Sequence, residues 1–397
     1  MKKREWLKVK KSIHVRVQEN YMLLSVFILF HIVFNAMMAF RVSSIFDFPV
    51  HNRLALAILE NDFEFWVLYW DIVAFVMLIF NSTVEVAAGA IVFVFRMAYV
   101  LAILYWVKCE LGDKISDKAV LFIATTALIA ASIPNIFGPH LMYYYGFGIN
   151  VWHNPTTFTV LPFAVISFFL FCRVVTWCNM QKTDRLLSGC LLLTVAILFS
   201  AYAKISWIVA FAPAVLIYLF VWWATSKFNF NRFKDCLLVG VCFIPAGLFA
   251  IRSYFRYTAF PNVGYFTFGV FELVHYPSML LNLSLPILVL ALCYKQLKQN
   301  CLFQMAWLTY VIAAIQLLFT YDDGPARSHG NTGWGHVYAL TILLLVSLIE
   351  LIKYLKQSNL TRKQLWLARA GIGLAFVHMF SGIYYAYHIF VFSSFWF

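Results

Sequence analysis

The sequence predicts an all-α polytopic membrane protein of about eleven transmembrane helices (ten to twelve), with further helices lying on the surface in its first outer loop. Three observations carry this. Hydrophobic residues make up 63% of the 397 positions and charged residues only 12%, against about 25% charged in ordinary soluble domains. Stretches such as 21–40, 205–224 and 337–351 are nearly free of charge and reach or approach the roughly 20 residues that carry a helix across hydrocarbon. The runs exceed the roughly 9–11 residues of a barrel strand and lack its alternation.

Taken in order, residues 1–20 form a basic arm with Lys2, Lys3, Arg4, Lys8, Lys10, Lys11 and Arg16 against two glutamates. The arm is too long for a removable leader and has no small-residue cleavage site, so the first span is expected to be retained and the arm cytoplasmic. The net charge of +13 fits positive-inside orientation and attraction to anionic lipid, and nucleic acid is not an expected partner.

Counting every apolar stretch yields twelve spans, but that count puts Lys108, Lys114 and Lys118, then Lys182 and Arg185, then Lys227, Arg232 and Lys234 on the outer side, against the Lys/Arg bias of short loops. Removing one crossing repairs every loop. The segment to remove is 54–82, where Glu60, Asp62, Glu64 and Asp71 stand beside Trp66, Tyr69 and Trp70; acids among aromatics suit helices at the membrane surface or dipping partway in. The spans are then 21–40, 85–107, 119–136, 157–177, 186–203, 205–224, 236–252, 277–294, 302–320, 335–353 and 365–392, one transmembrane domain over 21–392 followed by a short tail, 393–397. The outer segments are 41–84, 137–156, 203–206, 253–276 and 321–335. All eight cysteines fall in spans or near their inner ends, so neither an exported disulfide framework nor a zinc spacing is expected.

Chemistry-bearing residues collect in the outer segments. Asp47 precedes His51 by four residues, with Arg41 and Arg53 on either side, an arrangement that suits activation of an acceptor hydroxyl beside an anionic leaving group. Next come Trp152, His153, Asn154, Pro155 and Thr156, where Asn154 is placed to cap a helix and Trp152 suits an aromatic belt or sugar stacking. Lys204 and Ser206 lie in the minimal loop between two spans, where a lysine can meet a lipid phosphate or snorkel to headgroups. Asp322 and Asp323 offer hard oxygen ligands to a divalent cation, Mg or Mn, while Arg327, His329, Asn331 and Trp334 follow as an anion- or sugar-binding set. Arg256 flanks the remaining outer loop, and Arg96 lies mid-span, where an arginine faces protein interior or a wet cavity.

The stretches Asp47-Phe-Pro-Val-His51, Trp152-His153-Asn154-Pro155-Thr156, Ala203-Lys204-Ile-Ser206 and Arg327-Ser-His329-Gly330-Asn331-Thr-Gly-Trp334-Gly335 resemble, in this order, motifs of a group of bacterial envelope-polysaccharide membrane proteins that is itself similar to the GT-C glycosyltransferases. Phe48 stands where that group usually has Tyr, and Ile205 where it usually has Pro. The resemblance implies a polyprenyl-phosphate-linked sugar as donor, a glycan or lipid-linked acceptor, action at the outer face of a bacterial inner membrane, and Asp47 as catalytic base with His51 or His153 assisting. In the transfer this suggests, Arg327, Lys204 and Arg256 are expected to neutralise the departing lipid phosphate. The chain departs from well-known GT-C members in having no Asp-x-Asp or Asp-x-Glu pair at Asp47 and no large soluble C-terminal domain, which leaves metal use and acceptor class open. Two rival expectations stand beside this one: an O-antigen-type polymerase or ligase, dominated by arginines, and a lipid-linked glycan transporter with a polar path and paired inverted halves.

Overall fold

A computed structural model describes the backbone of residues 3–60, 67–112, 115–131, 133, 152, 154–257, 263–265, 280–322 and 334–392, with side chains at all of these except 3–20, 183, 254–257, 263–265, 296–297 and 320–322. Fourteen helices fall within these residues: α1 (Lys3–Val42), α2 (Phe48–Leu59), α3 (Leu68–Phe80), α4 (Val84–Leu111), α5 (Asp117–Ile129), α6 (Pro155–Asn179), α7 (Thr183–Ala203), α8 (Ser206–Thr225), α9 (Phe230–Val241), α10 (Ile244–Tyr257), α11 (Ser284–Leu297), α12 (Cys301–Phe319), α13 (Trp334–Leu355) and α14 (Arg362–Phe392). Two three-residue strands, β1 (Val263–Tyr265) and β2 (Thr320–Asp322), pair antiparallel with Val263 opposite Asp322, and so join two of the expected outer segments.

Among the described residues, eight helices are long and apolar enough to cross a membrane: α1 from Tyr21, α4, α6, α7 from Asp184, α8, α12, α13 and α14. α9 and α10, bent by 43° at a short break, make a ninth if they form one span. The protein is thus a multi-pass helical membrane protein. Eleven spans are not reached among the described residues, because α5 stops at Ile129 and α11 covers only 14 residues.

The spans grade from enclosed to lipid-suited. α13 is enclosed over 94% of its apolar window and α6 over 78%, whereas the window of α1 is 28% enclosed. α13 packs on α5, α8, α11, α12 and α14, and α6 on α4 and α7, so these two form the axis of the bundle. A helix that is apolar all round and only partly covered by protein suits contact with lipid.

The two ends of the bundle differ in charge. At one end Glu110 of α4 pairs with Arg173 of α6 (2.8 Å) and Lys353 of α13 (3.5 Å), and Lys353 also pairs with Glu350 (2.8 Å). Lys108 meets Asp117 there at 2.8 Å. At the opposite end α2 and α3 pack against α4, and α3 also reaches α6 and α7. Asp71 in the first turn of α3 accepts a hydrogen bond from Tyr202 near the end of α7. α4 starts at this same end, since its Gly89 packs against Phe40 near the end of α1. The short link between α3 and α4 turns at Asn81 (φ 47°), a left-handed position that asparagine tolerates better than most residues.

α5 ends inside the bundle, and its freed backbone groups find distant partners. Arg96 donates to the Leu128 carbonyl (3.0 Å), and the amide of Ala131 donates to the His378 carbonyl (3.1 Å). The amide of Ile133 donates to Asn282 Oδ1 (3.0 Å). Non-helical backbone at such a depth is tolerated where protein satisfies it. Arg96 is fully buried, also donates through Nε to Asn35 Oδ1 (3.1 Å), and lies over the Trp152 ring at 4.7 Å.

Candidate active site

The end of the bundle that carries α2 and α3 gathers polar side chains from segments far apart in sequence. Asp47 occupies the N-cap position of α2, with Pro49 in the first helical turn, where a missing amide hydrogen costs nothing. The loop before it is fixed from inside: Asn52 Nδ2 donates to the Ser43 carbonyl (2.9 Å), and Tyr69 of α3 donates through its hydroxyl to Asn52 Oδ1 (3.1 Å). Phe48 is completely buried and meets Tyr69 edge-on.

Asn154 caps α6. Its Oδ1 accepts from the Thr156 amide (3.2 Å) and hydroxyl (2.7 Å), which commits the amide's other end, and Nδ2 donates to Asp47 Oδ2 at 3.2 Å. The start of α6 thereby orients the carboxylate of Asp47 across 107 residues of sequence.

Lys204 follows the last residue of α7 in an extended conformation (φ −168°, ψ 126°) that ends the helix, and its Nζ lies 4.1 Å from the centroid of Trp334 at the start of α13. Burial pushes the ammonium down to about 7, and the Asp47 carboxylate works in the opposite direction. His51, one turn on from Asp47, is held down to about 3 by burial and then by the positive charge of Lys204. Asp47 and His51 therefore both lie within electrostatic reach of Lys204. Ser206 starts α8 and its carbonyl abuts Gly335, where a Cβ would stand 2.8 Å from that oxygen; α13 reaches Lys204 only because glycine permits the approach.

Of the residues expected from the sequence to form a site, Asp47, His51, Asn154, Lys204, Ser206 and Trp334 come to this end of the bundle. Trp152 is 3% exposed, stacked on Arg96 and edge-on to Phe34 at 6.0 Å, with its amide donating to the Tyr385 hydroxyl (3.3 Å); it sits in the wall and offers no open stacking face. His153, Asp323, Arg327, His329 and Asn331 lie outside the described residues, as do the side chains of Arg256 and Asp322. Arg41 donates through Nε to the Phe390 carbonyl (3.0 Å), tying α1 to α14. Among the described residues, no group of three or more His, Cys, Asp or Glu side chains could hold a metal ion.

Two contributors escape the motif reading. Trp70 Nε1 donates to His51 Nδ1 at 2.9 Å, and Asp71 bonds Tyr202, two residues before Lys204. The one available signal was the juxtaposition of Trp70 and Asp71 in a segment whose charge already barred it from crossing.

No protein-family model matches this chain, and a search of curated proteins finds no match.

Proposed function

We propose that this protein is a membrane glycosyltransferase that moves a sugar from a polyprenyl-phosphate-linked donor to an envelope glycan or lipid-linked acceptor. The observation that carries this reading is the convergence of one carboxylate, Asp47, with one depressed lysine, Lys204, at one end of a helical bundle, the carboxylate oriented by Asn154. In the proposed reaction the acceptor hydroxyl gives its proton to Asp47 as its oxygen attacks the anomeric carbon. The bond between that carbon and the phosphate oxygen breaks, and polyprenyl phosphate leaves with the electron pair. Lys204 stabilises the charge that develops on the phosphate, where a site poor in water makes each fixed charge count for more. Trp334, under the ammonium, holds it in place by a cation–π contact.

The orientation that goes with this reading puts the Glu110–Arg173–Lys353 end in the cytoplasm and the α2–α3 end outside, in keeping with positive-inside bias. Under it 119–136 and 277–294 complete eleven spans. Arg256, Arg327, His329 and Asn331 remain candidate substrate contacts, His153 a candidate assistant to Asp47, and Asp322 with Asp323 candidate ligands of a divalent cation.

The test is release of free polyprenyl phosphate from the glycolipid pool of membranes containing this chain. Wild type is expected to release it and Asp47→Asn to reduce release at least a thousandfold at equal expression. Full release by Asp47→Asn would remove the carboxylate from the mechanism, and loss on Arg327→Ala with Asp47→Asn intact would point to the polymerase chemistry instead.

A further inference from the structure

The indole of tryptophan can only donate a hydrogen bond. Trp70 Nε1 donates to His51 Nδ1 at 2.9 Å, so Nδ1 carries no proton, and a neutral ring must carry it on Nε2. The contact is not incidental to packing. Tyr69, the neighbour of Trp70, bonds Asn52, the neighbour of His51, so two successive side chains of α3 engage two successive side chains of α2. Tyr69 also stands edge-on to the imidazole (6.2 Å, 88°), and Asn52 ties the same pair to the loop that presents Asp47. Rotation of the ring would break the Trp70 bond, and protonation of Nδ1 would set two donors against each other. Among the described residues Nε2 has no partner. A neutral N–H donor thus lies within electrostatic reach of Lys204, whose charge opposes the imidazolium form.

We propose that Trp70 is a positioning residue that locks His51 as the Nε2–H tautomer, so that His51 serves as a neutral hydrogen-bond donor to the phosphate of the lipid carrier beside Lys204 and not as a proton acceptor. The identity of the acceptor rests on the function proposed above, whereas the tautomer does not. Proton transfer is left to Asp47, and His51 supplies the second of two donors aimed at one anion, which distinguishes a phosphate site from a lysine merely reaching for headgroups.

The experiment is nitrogen NMR of the full chain in lipid nanodiscs, labelled at histidine ring nitrogens, with the His51 signals identified by their loss in His51→Gln. Wild type is expected to show Nε2 protonated and Nδ1 bare from pH 8 to 5. Trp70→Phe is expected to show mixed tautomers. Added polyprenyl phosphate should shift the His51 Nε2–H of wild type, and Trp70→Phe should bind it about twofold more weakly, as when roughly half of the rings hold the donor tautomer. A protonated Nδ1 or a cationic His51 in wild type at pH 6 overturns the proposal, as does a Trp70→Phe spectrum identical to wild type. If polyprenyl phosphate binds in a Lys204-dependent way without moving His51, the donor role falls and the phosphate site stands. If it binds to neither, the proposed function fails while the tautomer survives.

Discussion

Lys204 sits between two opposing influences, burial that lowers its proton affinity and the Asp47 carboxylate that raises it, and the net result is a group titrating at about 7. Because its folded value lies below that of the unfolded chain, the charged form is penalised in the folded protein. That penalty is fully present below pH 7 and is relieved as pH rises toward the unfolded value. Anion binding runs the other way. Affinity for a polyprenyl phosphodiester, measured in nanodiscs, is expected to fall about tenfold per pH unit above 7, and Lys204→Arg, charged throughout, should flatten the profile. A pH-independent affinity in wild type would remove Lys204 from the site. At this scale the sequence was informative wherever a polar residue stood out against hydrocarbon: Asp47, Asn154, Lys204 and Trp334 do converge. Trp70 was not legible, because a tryptophan that fixes an imidazole and one that anchors a helix at the interface look the same without the fold.

Helix starts and stops shape the site at the next scale. Asn154 has two duties that substitution can separate. Asn154→Ser keeps a good cap but is too short to reach Asp47, so the proposed transfer should fall at least tenfold while thermal stability changes little. Asn154→Ala should lose both the activity and about 1 kcal/mol of stability. Equal stability losses in the two variants would mean that the cap contributes nothing. The end of α5 rests on close approach: a Cβ on Gly382 of α14 would collide with the Ile129 carbonyl oxygen, whereas one on Gly373 of the same helix meets nothing within 4 Å. Gly382→Ala is therefore expected to cost about 3 kcal/mol in unfolding in detergent, and Gly373→Ala to be neutral or slightly stabilising. The stop of α5 was hidden in the sequence because apolar residues continue past Ile129, and its stabilising groups, Arg96, Asn282 and His378, come from three other segments. That same partnership answers the question the lone mid-span Arg96 raised: it satisfies backbone and packs on aromatics.

Charge organises the whole molecule. The pattern of Lys and Arg led to the expectation that 54–82 does not cross; α3, within that range, contacts α4, α6 and α7 and accepts a hydrogen bond from Tyr202 through Asp71. Exposed Phe75, Leu78, Ile79 and Phe80 on α3 suit immersion at the interface. With a cysteine placed at 83 or at 113 in a background of substituted native cysteines, an impermeant thiol reagent on intact cells should modify 83 and spare 113; the reverse pattern would invert the orientation. The functional reading rests on short motifs scattered over a long apolar chain, since apolar spans share composition whatever they do, and long outer segments mark where polar residues gather without naming a substrate.

The most direct measurement is the surface-glycan profile of a source strain lacking this gene, complemented with wild type or with Asp47→Asn at matched membrane expression. The account predicts that wild type restores the profile and that Asp47→Asn leaves a glycan lacking one sugar or side branch. Full restoration by Asp47→Asn would contradict it.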